Sequence, residues 1–174
     1  MGLGYWIGQA LGILAIALGF LTYQVRTQRA VIVAQMAVAF CFVLHFLLIG
    51  AVTGMALNVV ALIRNLAYFW REKQGKRGQI LPIAFTVVMA IVGLLTWEAW
   101  YSVFMLAGLV INSYCMSFYD PQKVRASILV SSPMALLYDI LVLSIGGAIY
   151  ESVAVISAAV GLWRFYRKKR ENVQ

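Results

Sequence analysis

Apolar residues fill this chain in seven long runs, separated by short stretches that hold glycine, tryptophan and nearly all of the charge. The runs cover 4–23, 30–50, 55–70, 79–97, 101–119, 126–147 and 151–167. Each is close to the roughly 20 residues that a helix needs to cross a bilayer. A membrane β-barrel would show segments of about ten residues with alternating polarity, and no such alternation is present. Lipid offers no hydrogen bonds to a bare backbone, so these runs are read as helices. The pattern predicts an all-α membrane protein with seven transmembrane helices.

Composition narrows this further. Hydrophobic residues make up 63% of the 174 positions and charged residues 11%, with a mean hydropathy of +0.88. Soluble domains carry about 25% charged residues, so a water-soluble globule is excluded. A disordered chain is excluded too, because it would need low hydrophobicity. Seven spans and their loops use up the length, which leaves no soluble domain of useful size.

The charge then orients the bundle. Basic residues group in alternate loops: Arg26 and Arg29, then Arg71, Lys73, Lys76 and Arg77, then Lys123 and Arg125, then Arg164, Arg167, Lys168, Lys169 and Arg170. The other loops hold only Glu98 and Glu151. Cytoplasmic loops collect Lys and Arg, so the N-terminus is expected outside and the C-terminus in the cytoplasm. Trp6, Trp97 and Trp100 fall at expected outer ends, and Trp70 and Trp163 at inner ends, where indole rings prefer the headgroup zone. The net charge of +8 thus reflects topology, and no nucleic-acid partner is expected. Cys41 and Cys115 each sit inside an apolar run, as free buried cysteines do. The N-terminus has no basic region and cleavage site of a signal peptide, so the first run is expected to remain in the protein.

Shifted by 96 residues, the chain aligns with itself without a gap. Positions 5–73 match 101–169 with 15 identities in 69, among them Tyr23 with Tyr119, Arg29-Ala30 with Arg125-Ala126, Gly50 with Gly146 and Phe69 with Phe165. This predicts a 3+1+3 arrangement of two parallel triple-helix repeats: 1–73 as the first repeat, 74–100 as a linker helix, 101–170 as the second repeat and 171–174 as a short cytoplasmic tail. Transporters built from parallel repeats commonly bind substrate between the halves.

Ionisable groups inside spans are costly and usually face the bundle interior. His45, Arg64 and Asp139 stand out, at similar expected depth not far from the midplane. The repeat places Asp139 near the first half's polar face, where Arg64 could neutralise it. Asn58, Ala61 and Asn65 form one small, amide-bearing stripe suited to close packing or to lining a cavity. Asn58, Arg64, Asp139 and His45 are therefore the candidate substrate-binding residues. Structural roles fit the same residues: an Arg–Asp pair can lock two helices, and a lone histidine can be a satisfied core residue. Gln35, Asn112 and Ser131 are weaker candidates. Gly8/Gly12 and Gly50/Gly54 have the spacing that lets helix backbones approach.

The string His45-Phe46-Leu47-Leu48-Ile49-Gly50, with Gly54, Asn58 and Arg64, resembles the YgjV family of bacterial inner-membrane proteins. Ser144-Ile145-Gly146-Gly147, Glu151 and Trp163-Arg164-Phe165-Tyr166-Arg167 carry the resemblance through the second half. It implies location in the bacterial inner membrane and brings no established activity. The three-one-three plan is similar to that of SWEET, PnuC and other PQ-loop transporters, in which an Asn on the third helix faces substrate; Asn58 holds a similar place. Pro121-Gln122 resembles the dipeptide that names the PQ-loop group, although the first half has Val25-Arg26 there and the second half has Ala154 opposite Asn58.

Phosphate-loop, HExxH, GxSxG and zinc-type Cys/His motifs are absent, so no enzymatic activity, no metal and no cofactor are expected. The expected function is transport of a small polar solute by alternating access between two three-helix bundles. The alternative is a membrane scaffold or regulatory subunit. Expected partners are the lipid bilayer, the solute and further copies of the chain in a homo-oligomer.

Overall fold

The computed structural model describes residues 2–24, 28–74, 78–115 and 121–171. Val25, Arg26, Lys76, Arg77, Asp120 and the tail beyond Glu171 lie outside the described residues, as do the side chains of Arg29, Glu72, Pro121, Gln122, Lys168, Lys169 and Glu171. The described chain forms α1 (Leu3–Gln24), α2 (Gln28–Ile49), α3 (Val52–Lys73), α4 (Ile80–Leu95), α5 (Ser102–Cys115), α6 (Pro121–Leu141) and α7 (Ile145–Glu171). Three helices hold stretches long and apolar enough to cross a bilayer, namely Ile32–Ile49, Val52–Arg71 and Ile145–Arg167. The shorter apolar helices are Leu3–Gly19, Ile80–Leu95 and Ser102–Cys115.

The bundle exposes many large apolar side chains and buries polar ones beside an apolar core. On α3, Thr53, Asn58, Ala61, Arg64, Asn65 and Tyr68 are buried, while Val59, Ile63, Leu66 and Trp70 are exposed. At about 3.6 residues per turn the two sets occupy opposite faces of one helix. On α6, Ser127, Ser131, Ala135 and Tyr138 face inward while Val130, Leu137 and Ile140 face out. A helix in water would reverse this pattern. All five tryptophans are exposed.

Packing closes six helices into a ring: α1 on α2, α2 on α3, α3 on α5, α5 on α6, α6 on α7 and α7 on α1. α4 lies across the α3–α5 seam and packs on both. Where α1 crosses α7 the backbones touch. A Cβ added to Gly12 would lie 2.8 Å from the Cα of Gly146, and one added to Gly146 would lie 2.5 Å from that of Gly12.

Helices α2 and α6 end in the same motif. After α2, Gly50 has φ +81°, its N–H bonds Leu47 O at 3.3 Å, and the next N–H, of Ala51, reaches back to Phe46 O at 2.9 Å. After α6, Leu143 has φ +57°, its N–H bonds Ile140 O at 3.2 Å, and the N–H of Ser144 reaches Asp139 O at 2.7 Å. This left-handed cap normally takes glycine, and leucine stands in its place in the second half. The two caps are 93 residues apart, so the 96-residue register does not hold at this turn. Two boundaries move in consequence. The run 126–147 is interrupted by the turn at 142–144, and α7 starts at Ile145 rather than at 151. The cause is that Leu143 carries no sequence mark of a turn.

Replacing Gly12 with Val is expected to force α1 and α7 apart and lower stability by about 1–3 kcal/mol, seen as a lower unfolding temperature in detergent. Gly4→Val is the matched control, because a Cβ there meets nothing within 4 Å; it should leave the transition in place.

Candidate functional site

α3 and α7 both begin inside the bundle, with N–H groups that have no partner in their own helix. Two side-chain knots take up two of these groups at each helix start. At α7, Ser144 caps the start: its Oγ accepts from the N–H of Gly147 at 3.2 Å and meets His45 Nε2 at 2.7 Å. His45 Nδ1 lies 2.7 Å from Gly8 O, which can only accept, so Nδ1 carries a proton. From α1, Gln9 accepts from the N–H of Gly146 at 3.1 Å and donates to Leu143 O at 2.8 Å, where Tyr5 also donates at 3.0 Å. At α3, the carboxylate of Glu98 accepts from Thr53 N–H at 2.9 Å, and the Tyr138 hydroxyl accepts from Gly54 N–H at 2.9 Å. Thr53 donates its hydroxyl to Thr96 O and lies 3.2 Å from Ser102 Oγ. A negative charge at the start of α3 also complements the helix dipole.

Between these knots and the opposite end of the ring lies a cavity of about 150 Å³. Its polar lining is Gln35 from α2, Asn58, Arg64 and Asn65 from α3, Asn112 from α5, Ser132 from α6 and Tyr150 and Glu151 from α7. Its apolar lining includes Val38, Phe42, Ala61, Leu109, Ile128 and Ala154. At about 30 Å³ per molecule, it has room for some five waters or one small solute. Arg64 is buried here with only 5% of its surface exposed. Its Nε and Nη2 donate to Asn65 Oδ1 at 3.3 and 3.1 Å, and its buried Nη1 has no acceptor. Gln35 Oε1 is also buried without a donor. Asn58 donates to Gly54 O at 2.9 Å, one turn back in its own helix. Glu151 accepts from Ser132.

The four candidate residues divide into two pairs. Asn58 and Arg64 line the cavity, and so does the whole 58/61/65 stripe. His45 and Asp139 do not line it. His45 is fully enclosed in the α7 knot, both ring nitrogens engaged. Asp139, 2% exposed, lies against α7: a Cβ on Gly147 would collide with its carboxyl group, whose polar neighbours are Ser144 and Glu151 and whose Oδ1 has no hydrogen-bond partner. Arg64 and Asp139 are not brought together. Depth explains why. Arg64 is 12 residues beyond Val52, about 18 Å along α3, whereas Asp139 is two residues from the end of α6. The expectation of similar depth rested on a sixth span reaching residue 147. Ser144 and His45 have the spacing of a nucleophile and its base, but neither side chain reaches the cavity.

Glu151 was expected in a loop, and its placement inside α7 corrects that. It stands six residues from the start of α7, as Asn58 stands six from the start of α3. The 93 residues between them are the same offset as that between the two caps, whereas the 96-residue offset sets Asn58 against Ala154. The two-residue Gly146-Gly147 step was the available sign that a new helix could begin there. Of the weaker candidates, Gln35 and Asn112 line the cavity, and Ser132 does so in place of its neighbour Ser131.

A helical bundle with charged and amide groups at its centre and a continuous apolar exterior is an integral membrane protein. The chain matches the sequence profile of the Imp-YgjV family, described as bacterial inner membrane protein, over residues 6–169, and it belongs to that family. No curated protein and no solved structure matches it significantly. The protein is accordingly a bacterial inner-membrane protein.

Leu143 offers a clean test of the α6–α7 turn. A left-handed non-glycine residue costs about 1–2 kcal/mol, and the leucine side chain is 57% exposed while its carbonyl does the bonding. Leu143→Gly is expected to stabilise the protein by about 1 kcal/mol, read as a higher unfolding temperature in detergent.

Proposed function

We propose that this protein is a transporter that moves a small polar solute by alternating access between two three-helix halves, α1–α3 and α5–α7, with α4 as the linker. The observation that carries the reading is the polar cavity, which draws its walls from both halves and holds a buried guanidinium with an unused donor. Several features support the two-fold plan. Exchanging α1 with α5, α2 with α6 and α3 with α7 maps the ring of helix contacts onto itself. The α2–α3 and α6–α7 turns share one capping motif. His45 on α2 serves the start of α7, and Tyr138 on α6 serves the start of α3. This plan resembles that of SWEET-like proteins, and fold alone does not give function. The reading places the N-terminus outside and the C-terminus in the cytoplasm, and assigns no enzymatic activity, metal or cofactor. Asn58, Arg64 and Glu151 touch the solute; His45 and Asp139 act as structural supports at the helix starts.

Cysteine accessibility tests this. In a background with Cys41 and Cys115 changed to Ala, Ala61→Cys places one thiol on the cavity wall. A membrane-impermeant maleimide is expected to label it from the outer face in intact cells and from the inner face in inverted vesicles. Labelling from neither face, or from one only, would point to a scaffold. Orientation has its own check: a fluorescent protein fused after Gln174 should glow, and periplasmic alkaline phosphatase fused there should be inactive; the reverse pattern would invert the topology.

A further inference from the structure

We infer that the central cavity is an oxyanion site, in which Arg64 receives the carboxylate or phosphate group of a small acid. This deepens the transport reading and rests on it for the cavity being a solute site.

The argument begins with charge. A guanidinium stays protonated in proteins, so Arg64 brings a permanent positive charge about 18 Å into a hydrocarbon layer roughly 30 Å thick. A charge at such depth is expected to be paired or to serve a solute path. Among the described residues, Arg64 has no carboxylate partner. Its two bonds go to a single neutral acceptor, Asn65 Oδ1, and Nη1 has none. Glu151 lines the same cavity, and its hydrogen-bond partner is Ser132. A buried, permanently charged group whose Nη1 has no acceptor, set among amides on a cavity wall, is suited to bind the oxygens of an anion.

Chemistry and size then define the ligand. The planar guanidinium fork matches two oxygens of one carboxylate or phosphate. Asn58, Gln35 and Asn112 around it can bond the remaining polar atoms, and Phe42 offers an apolar wall. The volume of about 150 Å³ admits an acid of a few carbons or inorganic phosphate, and is too small for a nucleotide or a disaccharide.

The experiment uses full-length protein in detergent and two probes, sodium acetate and sodium phosphate, at constant ionic strength made up with the bulky sulfonate of sodium HEPES. A ligand that binds only the folded state raises its unfolding temperature. Acetate or phosphate is expected to raise it by several degrees relative to HEPES, and whichever acts more strongly tells carboxylate from phosphate. Arg64→Met, which keeps the length and removes the charge, is expected to lose the response. If Arg64→Met does not fold, Arg64→Lys carries the test, since it keeps the charge without the planar fork and its response should weaken. No shift in the wild type with either probe overturns the inference. So does a response equal to wild type in Arg64→Met or in Arg64→Lys. The outcomes separate from those for transport: Ala61→Cys labelled from both faces with no anion response sinks the anion site alone. An Arg64-dependent anion response with Ala61→Cys labelled from one face sinks alternating access and leaves a binding site.

Discussion

Two helices of this protein start inside the helix bundle, and the free N–H groups at those starts govern the rest of the structure. Lipid cannot satisfy them, and each one left open costs several kcal/mol. The chain answers with side chains drawn from elsewhere. The start of α7 is held by Gln9 and His45 from α1 and α2, and the start of α3 by Glu98 and Tyr138 from beyond α4. Each start is thus completed by residues far away along the chain.

Once the ends are tied in this way, the ring has a middle that nothing fills. Many apolar residues are turned outward, and the interior combines an apolar core around Phe42, Phe46, Leu57, Met89 and Met105 with buried amides, hydroxyls and a few charges. Small residues let α1 and α7 touch at Gly12 and Gly146, and the cavity opens between residues of α2, α3, α5, α6 and α7. Its electrostatics are uneven, with Arg64 deep along α3 and Glu151 nearer the helix starts.

Much of this was legible in the sequence, and the failures have one source. Apolar run length gave seven helices, and the 58/61/65 stripe gave the face of α3 that meets the cavity. Asn58 and Arg64 could be chosen because polar groups in lipid have nowhere else to go. What misled was the α6–α7 turn. The sequence carries a Gly50-like mark only at Gly146, three residues past the turn, because Leu143 adopts a backbone conformation that leucine side chains do not announce. That slip carried Asp139 to a false depth, set it beside Arg64 and left Glu151 outside the helix. The knots were illegible for a different reason: Gln9 and Leu143 are 134 residues apart, and no local pattern encodes such a meeting.

The long reach of these bonds also sets a timetable. Thr53 and Glu98 are separated by 45 residues, and Gln9 and Leu143 by 134. At a synthesis rate of roughly 5–20 residues per second, the start of α3 waits several seconds for its carboxylate. The amide of Gln9 waits on the order of ten seconds or more for its turn. During that interval α1 sits in the bilayer beside α2 with a polar group unserved, and its final seat next to α7 does not yet exist. The first helix made is thus the last to be locked, and newborn chains pass through a stage in which the bundle is open along the α1–α7 seam.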